Sequence, residues 1–242
     1  MAQGTSTYES AEARDAYLAF HYPHEDALAA LLGKGAPPQA ERFPFTVRAM
    51  WEEGGGGRAL DLGCACGRVT LDLARDHDEA VGVDASAPLV AAAREVLAAG
   101  RARYRLRVEG ETFRDVEVAV PVPRNASFEV GDAHALRFPD GAFRTVVALN
   151  LLDRVADPAR ALAEAARVTA PRGLLLVASP FTWLPEHTPR ERWLVPGVER
   201  VRALLGAAFR LEREARLPFF IRHHARSGQL AVTALQRFRR IP

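Results

Sequence analysis

From Arg58 onward, short apolar runs alternate with stretches in which apolar residues recur every three or four positions. The apolar runs predict strands at 58–62, 79–84, 126–130, 144–149 and 173–178. The stretches with helical spacing predict helices at 67–76, 87–99 and 157–169. Because strands and helices alternate, we expect an α/β domain with a mostly parallel sheet.

Both ends of the chain depart from this alternation. Residues 1–57 predict a helical cap that forms one compact unit with the α/β domain at 58–242. The cap should contain helices at 8–22, 25–32 and 45–51 and a flexible linker at 54–57. After the fifth strand, the pattern predicts a polar, aromatic loop at 179–194, a helix at 197–205 and strands at 209–217 and 229–238, with a segment rich in arginine and histidine between these strands.

Residues 101–123 interrupt the alternation in another way. Polar and apolar residues alternate over Arg103–Val108 and over Phe113–Val120, with Glu109-Gly110 between the two stretches. This pattern predicts an inserted β-hairpin. A dimer surface, a lid and a solvent-exposed addition are open interpretations of the hairpin, and the last is slightly favoured.

The first predicted strand ends in a turn of small residues. Arg58–Gly67 reads RALDLGCACG, so Gly63, Ala65 and Gly67 stand at alternate positions just before a predicted helix. Small residues let the backbone turn sharply and approach a ligand, and the helix start offers free N–H groups. The spacing differs from the G-x-G-x-x-G of dinucleotide sites. It resembles motif I of the class I S-adenosylmethionine (SAM) methyltransferases.

Later strand ends carry polar residues that fit the same kind of site. Asp84 ends the second predicted strand about 20 residues beyond the glycines, where an acid receives ribose hydroxyls in such folds. Gly131-Asp132-Ala133 and Asn150-Leu151 follow two later strands and resemble the adenine-side and methyl-side motifs of class I methyltransferases. These motifs in this order favour SAM over a nicotinamide dinucleotide, although both cofactors carry a ribose.

Composition narrows the class of protein. The 242 residues are 48% hydrophobic and 26% charged, as in a globular protein with a sizeable core. A net charge of +2 does not indicate nucleic-acid binding, and no apolar run or N-terminal pattern indicates a membrane span or a signal peptide, so we expect a cytoplasmic protein. Cys64 and Cys66 are too few and too close for a zinc site, and no metal is expected. They are interpreted as small buried residues, with a redox pair as the alternative.

Several stretches together resemble a narrower family. They are YESAEARDAYLAFHY at 8–22, LDLGCACGR at 60–68, NLLDRVADP at 150–158, SPFTWLPEHTPRERWL at 179–194 and LPFFIRHHARSGQ at 217–229. They are similar to the 4-mercaptohistidine N1-methyltransferases of ovothiol biosynthesis, whose domain also forms the C-terminal part of the 5-histidylcysteine sulfoxide synthases.

This resemblance implies a fold, a reaction and a partner. The fold is a class I, Rossmann-like one with a mostly parallel seven-stranded sheet and helices on both faces. The reaction is methyl transfer from SAM to an imidazole nitrogen of 5-thiohistidine, which gives ovothiol A and S-adenosylhomocysteine. The expected partner is this small molecule rather than a nucleic acid or a membrane, and a homodimer is left open.

The motifs and the resemblance assign side chains to three roles. The residues expected to bind SAM are Tyr17, Asp61, Gly63, Ala65, Gly67, Arg68, Asp84, Ala85, Asp132, Ala133, Asn150 and Leu151. The residues expected to act in the reaction are His21, Asn150 and Asp153. The residues expected to bind the acceptor are Tyr22, Asp153, Arg154, Trp183, Arg222, His223 and His224.

The acceptor set follows from the chemistry of 5-thiohistidine. Its thiolate requires donors or cations, which Arg154 and the segment Arg222–His224 offer, and an arginine would also hold its carboxylate. Asp153 would hold its ammonium group, and Trp183 or a tyrosine would stack on its ring. A local Asp153–Arg154 ion pair and a core position for Trp183 carry equal weight as interpretations.

Three other functions remain as alternatives. The first is methylation of another small molecule on nitrogen, oxygen or sulfur. The second is a SAM-binding protein without catalysis, against which the polar loop at 179–194 argues, because such a protein needs no acceptor pocket. The third is a nicotinamide oxidoreductase, which the glycine spacing disfavours.

Overall fold

A seven-stranded sheet with helices on both faces organises the computed structural model, which describes residues 10–38, 42–51 and 55–242. Its strands are β1 (Arg58–Leu62), β2 (Glu79–Asp84), β3 (Arg101–Glu109), β4 (Thr112–Ala119), β5 (Ala126–Val130), β6 (Phe143–Leu149), β7 (Thr169–Ser179), β8 (Phe209–His224) and β9 (Ser227–Arg240). Its α-helices are α1 (Ala11–His21), α2 (Ala27–Leu32), α3 (Arg68–Leu73), α4 (Ala87–Ala99), α5 (Pro158–Val168) and α6 (Gly197–Leu205).

The central sheet has the order β5-β2-β1-β6-β7-β9-β8, and β9 runs against the other strands. The chain moves outward from β1 through β2 to β5 and then returns to pair β6 with β1 on its other side. The strand order therefore reverses between β1 and β6, and such a reversal opens a crevice at the carboxyl ends of the strands. The predicted α/β class with a mostly parallel seven-stranded sheet is confirmed.

The central strands are buried on both faces. Leu60 and Val146 pack with α5 on one face, whereas Ala59 and Val147 pack with Trp51 on the other. Strands covered on both sides have few polar positions, which is why β1, β6 and β7 stand out as short apolar runs. No helix among the described residues combines the length and hydropathy of a membrane-spanning segment.

The last two strands are longer than predicted. The segment between 217 and 229, outside both predicted strands, continues both strands, and the pairing extends to His224 opposite Ser227. The physical reason is burial, since Phe219 is only 5% exposed and packs against Phe20 and Phe43 of the cap. Because residues after Leu217 continue to make apolar contacts on one face of the strand, β8 continues past Leu217.

The cap forms as α1, α2 and a short 3-10 helix. The predicted helix at 8–22 appears as α1, while Tyr8 and Glu9 lie outside the described residues, as does Gly54 of the predicted linker. Ser10 caps α1 by accepting a hydrogen bond from the Ala13 N–H at 3.1 Å. The helix expected at 45–51 is instead the 3-10 helix Phe45–Met50. It places Val47 and Met50 in the core beneath the cap.

The inserted hairpin is present as β3 and β4, which form a separate two-stranded sheet. The favoured interpretation of a solvent-exposed addition is wrong for β3, because alternate residues Ala102, Tyr104 and Leu106 are buried in a cluster with Leu18 of α1. On the outer face, Arg105 pairs with Asp15 of α1 at 3.2 Å. The hairpin therefore packs against α1, the first helix of the cap.

Candidate functional site

A cavity of about 520 Å³ opens at the carboxyl ends of β1, β2, β5 and β6, where the strand order reverses. This is the position at which open α/β sheets bind ligands, and the volume is within the range of small-molecule sites. One wall, here called the turn side, comes from residues 61–65, 83–86 and 131–134. The opposite wall, here called the cap side, comes from residues 17–21, 43–44, 149–156, 180 and 219–221.

The glycine turn shapes the turn side through its backbone. Gly63 has a φ of +80°, and a Cβ there would lie 2.8 Å from Cδ1 of Leu151, so no larger residue fits. Gly67, with a φ of +85°, is the N-cap of α3, and a Cβ there would lie 2.5 Å from the Phe128 ring. Gly63 and Ala65 line the cavity, whereas Gly67 and Arg68 stand behind it. Gly67 thus packs closely against the Phe128 ring and does not line the cavity.

The two cysteines of the turn are buried, and Cys64 lines the cavity. Burial raises the pKa of both thiols, with nearby carboxylates adding to the effect. The thiolate is the reactive form of cysteine, so both side chains act here as small buried residues.

Asp84 is held at the end of β2 by two backbone groups. One carboxylate oxygen accepts a hydrogen bond from the Ala65 N–H at 2.9 Å, and the other accepts one from the Ser86 N–H at 2.8 Å. Burial raises the pKa of Asp84 even though these hydrogen bonds lower it. Each carboxylate oxygen accepts more than one hydrogen bond, so the group keeps capacity for hydroxyl donors in the cavity.

Asp61 lies deeper, at the end of β1, and is only 2% exposed. Its carboxylate accepts a hydrogen bond from the Thr70 hydroxyl at 2.7 Å. Burial raises the pKa of Asp61 to about 7. A large share of this carboxyl group is therefore protonated near neutral pH.

Asp132 takes part in a series of hydrogen bonds at residues 131–134 of the turn side. His134 donates to one of its carboxylate oxygens from the backbone N–H at 2.9 Å and from Nδ1 at 2.7 Å, and these bonds hold the pKa of Asp132 below its usual range. The His134 Nε2 accepts a hydrogen bond from the Asp157 N–H at 3.1 Å. The ring therefore carries its proton on Nδ1. His134 lines the cavity beside Ala133.

Asn150 follows β6 in a left-handed conformation, with a φ of +53°. Its backbone N–H donates to the Ala178 carbonyl at 2.7 Å, and its side-chain oxygen accepts from the Thr233 hydroxyl at 2.8 Å. The amide nitrogen remains as a donor beside the cavity.

Asp153 and Arg154 form the local ion pair that was one of two interpretations of this dipeptide. Their nitrogen and oxygen lie 2.8 Å apart, and Asp153 is completely buried. The Asp153 carboxylate also accepts hydrogen bonds from the Ser179 hydroxyl at 2.9 Å and from the Thr182 N–H at 3.2 Å. Burial raises the pKa of Asp153 more than the Arg154 charge lowers it. The pair joins the end of β6 to the loop after β7.

The cap side is mainly aromatic. Phe20 stacks on Phe43 with centroids 6.2 Å apart, and both rings contact Phe219 of β8. Tyr17 and His21 of α1 line the cavity next to them, with their rings 6.1 Å apart. Three segments that are distant in the sequence thus build one wall.

His21 is a buried imidazole with a defined polarity. Its Nδ1 accepts a hydrogen bond from the Arg68 N–H at 3.4 Å, so the neutral ring carries its proton on Nε2. Burial, followed by the Arg68 charge, lowers the pKa of His21 to about 3. At neutral pH this ring is neutral, with Nε2–H as its donor, rather than a group ready to accept a proton.

Several residues assigned to the acceptor lie away from the cavity. Tyr22 is buried and donates its hydroxyl to the Cys66 carbonyl at 2.9 Å. Trp183 packs against Phe181 and stacks on Trp193, as the core interpretation expected. Contrary to the expectation for acceptor-binding residues, neither side chain lines the cavity.

The cations of β8 are also elsewhere. Arg222 pairs with Glu25 at 2.7 Å, and the His224 Nδ1 accepts a hydrogen bond from the Arg226 N–H at the turn of the β8–β9 hairpin. His223 stands between them and does not line the cavity. Because β8 continues as a strand past Phe219, Arg222–His224 extend beyond the cavity.

Some lining residues were not expected from the sequence. His134 is the next residue after the Gly131-Asp132-Ala133 motif, so extending that motif by one position would have found it. Phe20 lies in α1, one residue before His21, and was assigned only to helix packing. The remaining unexpected side chains carry no local signal, and they include Phe43, Pro180, Phe219 and Ile221.

The central part of the chain is similar to known methyltransferases. The family model described as "Methyltransferase domain" matches residues 60–177, just under half of the chain. An uncharacterized methyltransferase of Schizosaccharomyces pombe is 34% identical over 118 residues, 48% of this chain and 37% of that protein. Ajmaline N-methyltransferase of Rauvolfia serpentina is 28% identical over 150 residues, 62% of this chain and 44% of that protein. The chain thus spans less than half the length of these two relatives.

Solved structures show the fold. A SAM-dependent methyltransferase from Methanosarcina mazei superposes with a TM-score of 0.55 at 18% identity, covering 77% of this chain and 93% of that one. The N-methyltransferase NodS from Bradyrhizobium japonicum superposes with a TM-score of 0.55 at 17% identity, covering 81% and 92%. At such identities the likeness concerns the fold alone. The fold is the class I SAM-dependent methyltransferase fold.

The cofactor that this fold implies is SAM, with S-adenosylhomocysteine as its product, and the residues present fit it. The cavity offers the Asp84 carboxylate for ribose hydroxyls and a glycine turn that leaves room for close approach. The carboxylates of Asp84 and Asp132 line it, which suits a ligand that carries a sulfonium and an ammonium group. Tyr17, Ala85 and Leu151, also expected to bind the cofactor, line the same cavity.

Proposed function

From the class I SAM-dependent methyltransferase fold of this chain, we propose that it transfers a methyl group from SAM to a small molecule. The observation that carries this proposal is a single cavity that joins a carboxylate-lined turn side to an aromatic cap side. A nucleoside cofactor suits the first wall, and a flat acceptor suits the second. A cavity of about 520 Å³ leaves room for a small acceptor only.

We further propose that the acceptor is 5-thiohistidine and that the product is ovothiol A. The support is the resemblance to the 4-mercaptohistidine N1-methyltransferases together with the position of the resembling stretches. Each stretch outside the glycine turn supplies lining side chains: Tyr17 and His21 from the first, Asn150, Leu151 and Asp153–Ala156 from the third, Pro180 from the fourth, and Phe219 and Ile221 from the last. The stretches that are specific to this family therefore border the cavity.

The chain's own residues would act by orientation. When bound, SAM supplies an electrophilic methyl group. The aromatic side chains of the cap side would hold the plane of the imidazole, which fixes the direction of nucleophilic attack. The Asn150 amide and the His21 Nε2–H are donors for the thiolate, in place of the distant Arg222–His224. Because the pKa of His21 is lowered to about 3, His21 would position the acceptor rather than serve as a general base.

The test is methylation in competition. The full chain is incubated with SAM and equal amounts of 5-thiohistidine and histidine, mass spectrometry follows the products, and NMR identifies the methylated atom. We expect ring-nitrogen methylation of 5-thiohistidine, with histidine poorer by about 100-fold or more, because donors that lose a buried partner weaken binding strongly.

The other outcomes separate the alternatives. Equal methylation of histidine, or methylation on sulfur, would contradict the proposed acceptor while leaving SAM-dependent transfer in place. Tight SAM binding without turnover on a wide panel of imidazoles, amines and thiols would instead favour a SAM-binding protein without catalysis. The Asp84→Ala variant serves as the control, since loss of the ribose acceptor should lower turnover at limiting SAM for every acceptor alike.

A further inference from the structure

The cavity wall is poor in positive charge. Among the described residues that line it, Asp61, Asp84, Asp132 and Asp153 are carboxylic acids, and Arg154 is the one arginine or lysine. An anionic group of a ligand therefore has one cationic partner among these residues. The position of this cation limits where such a group can bind.

The Arg154 guanidinium is fixed on one edge and free on the other. Its Nη1 donates to the Asp153 carboxylate at 2.8 Å, to the Asp153 carbonyl at 2.8 Å and to the Thr182 carbonyl at 3.0 Å. Among the described residues, no atom accepts a hydrogen bond from its Nε or Nη2. The side chain is 28% exposed, so this second edge is open to a ligand. A guanidinium edge with two parallel N–H groups matches a carboxylate.

Asp153 is the group that fixes Arg154. Its carboxylate is completely buried, and both oxygens are occupied by Ser179, Thr182 and Arg154. Because these bonds occupy both oxygens, Asp153 is not placed to hold the ammonium group of an acceptor. They make Asp153 a positioning residue, because it orients the guanidinium between the end of β6 and the loop after β7.

We propose that the free edge of Arg154 binds a carboxylate of the methyl acceptor, so that this protein methylates carboxylic acids and discriminates against their decarboxylated counterparts. This inference rests on the proposed methyltransferase function. In 5-thiohistidine the group would be the amino-acid carboxylate. The ring would then lie toward the aromatic residues of the cap side.

SAM also carries a carboxylate, so the same chemistry has two sources. The topology favours the acceptor. Arg154 follows β6 and is bonded to the segment after β7, whereas Asp84 and the glycine turn lie at β2 and β1, across the reversal of strand order. A cofactor with its ribose on Asp84 occupies that opposite side of the cavity. The experiment measures both sources separately.

The test uses pairs of acceptors that differ only in the carboxylate. One pair is 5-thiohistidine and its decarboxylated amine, and another is histidine and histamine. For each pair, the ratio of kcat/KM values is measured with the wild-type protein and with Arg154→Gln, and calorimetry gives the SAM affinity of both proteins. A structural defect lowers both members of a pair alike, so the ratio reports contact with the carboxylate.

Two further variants serve as controls for this test. Arg154→Lys leaves Asp153 paired with a cation, so it guards against misfolding of the Gln variant, and a lysine cannot present two parallel donors. We expect its ratio to be intermediate. Arg210→Gln removes an exposed arginine that pairs with Glu212 far from the cavity, and it is the matched control. Its ratio should equal that of the wild-type protein.

We expect the wild-type protein to prefer the carboxylate-bearing member by roughly 10- to 100-fold, and Arg154→Gln to lose this preference with little change in SAM affinity. Equal use of both members by the wild-type protein would overturn the proposal while SAM-dependent transfer stands. So would a fall in SAM affinity that accounts for the whole effect, because the bound carboxylate would then be the cofactor's. If another carboxylic acid outperforms 5-thiohistidine, the proposed acceptor is wrong and the role of Arg154 stands. If no acceptor is methylated, both proposals fail.

Discussion

The turn side and the cap side of the cavity are built in different ways. On the turn side, Gly63, Ala65, Asp84 and Asp132 each stand within a few residues of a strand end, and local hydrogen bonds hold them. On the cap side, Phe20, Phe43 and Phe219 come from segments about 20 to 200 residues apart and meet only by packing. The turn side is a property of local motifs, whereas the cap side is a property of the whole fold.

The two sides also differ in what they offer a ligand. The turn side presents carboxylates and backbone groups, and the cap side presents aromatic rings, an amide and one guanidinium among the described residues. A site that binds an invariant cofactor can be predicted from short sequence motifs. A site that selects an acceptor depends on long-range contacts, so substitutions on the two sides should have distinct consequences.

The largest expected effect is on the packing of the cap side. Phe219→Ala should lower the free energy of unfolding by about 3–5 kcal/mol, because Phe219 is nearly buried where β8 packs against the cap. Denaturant unfolding measures it. The matched control is Phe220→Ala, since Phe220 is the next residue on the same strand and is only partly buried. Equal losses for the two variants would contradict the idea that the cap is held by this aromatic cluster.

On the turn side, Gly67→Ala should lower the free energy of unfolding by roughly 2–4 kcal/mol. The new Cβ would collide with the Phe128 ring, and a φ of +85° is strained for alanine. Gly110→Ala isolates the second effect, because Gly110 has a φ of +52° and nothing within 4 Å of the new Cβ. Thermal unfolding should show the smaller loss for Gly110→Ala. A similar loss in both would mean that packing against Phe128 contributes little.

Asp84→Ala should weaken SAM binding by about 1–3 kcal/mol, since the ribose hydroxyls lose a charged acceptor. Asp78→Ala is a control at the opposite end of β2, where the carboxylate accepts a hydrogen bond from the Gly57 N–H. Calorimetry on both folded variants gives the comparison. Unchanged SAM affinity in Asp84→Ala would contradict the prediction that Asp84 binds the ribose.

The pH dependence of stability should separate His21 on the cap side from Asp61 on the turn side. The His21 ring stays neutral in the folded protein down to its pKa of about 3, whereas it binds a proton below about pH 6.5 when unfolded. Its contribution to stability therefore falls as the pH falls from 6.5. Asp61 has a folded pKa of about 7 and an unfolded one of 3.8, so its contribution falls as the pH rises between these values.

Between about pH 4.5 and 6, the two groups thus oppose one another, each by at most about 1.4 kcal/mol per pH unit. His21→Gln should make the free energy of unfolding fall more steeply with rising pH, and Asp61→Asn should make it rise. Urea unfolding at several pH values measures both slopes. Slopes that match the wild-type protein in both variants would show that neither group is buried as the structure has it.

The smallest expected effect concerns the hairpin that supports the cap. Arg107 pairs with Glu12 at 3.1 Å, and both side chains are largely exposed, so Arg107→Ala should cost less than about 1 kcal/mol and vary with salt. Leu106→Ala, one residue away and buried beneath α1, should cost about 2–4 kcal/mol. A larger loss for Arg107→Ala would mean that charge, rather than burial, attaches the hairpin to the cap.

Much of the fold was predictable because the signals are local. The strands β1, β2 and β5, and the helices α4 and α6, agree with the expected bounds, since their apolar runs and caps lie within the elements themselves. The errors occur where distant segments meet. The strand predicted to end at Leu217 continues because Phe219 packs against the cap, and the 3-10 helix Phe45–Met50 forms in place of an α-helix where the cap lies on the sheet.

The sequence by itself determined the α/β class, the glycine turn and the acids that end the strands, because backbone conformation and hydrophobic periodicity act over a few residues. Only the tertiary structure decided which side chains line the cap side of the cavity. Arg222 lies beside Glu25 rather than in the cavity, while Arg154, its neighbour Asp153 and Phe219 border it. The physical reason is that these positions depend on the length of β8, the docking of the cap and the burial of one ion pair. All three depend on contacts between distant segments, which no local sequence pattern encodes.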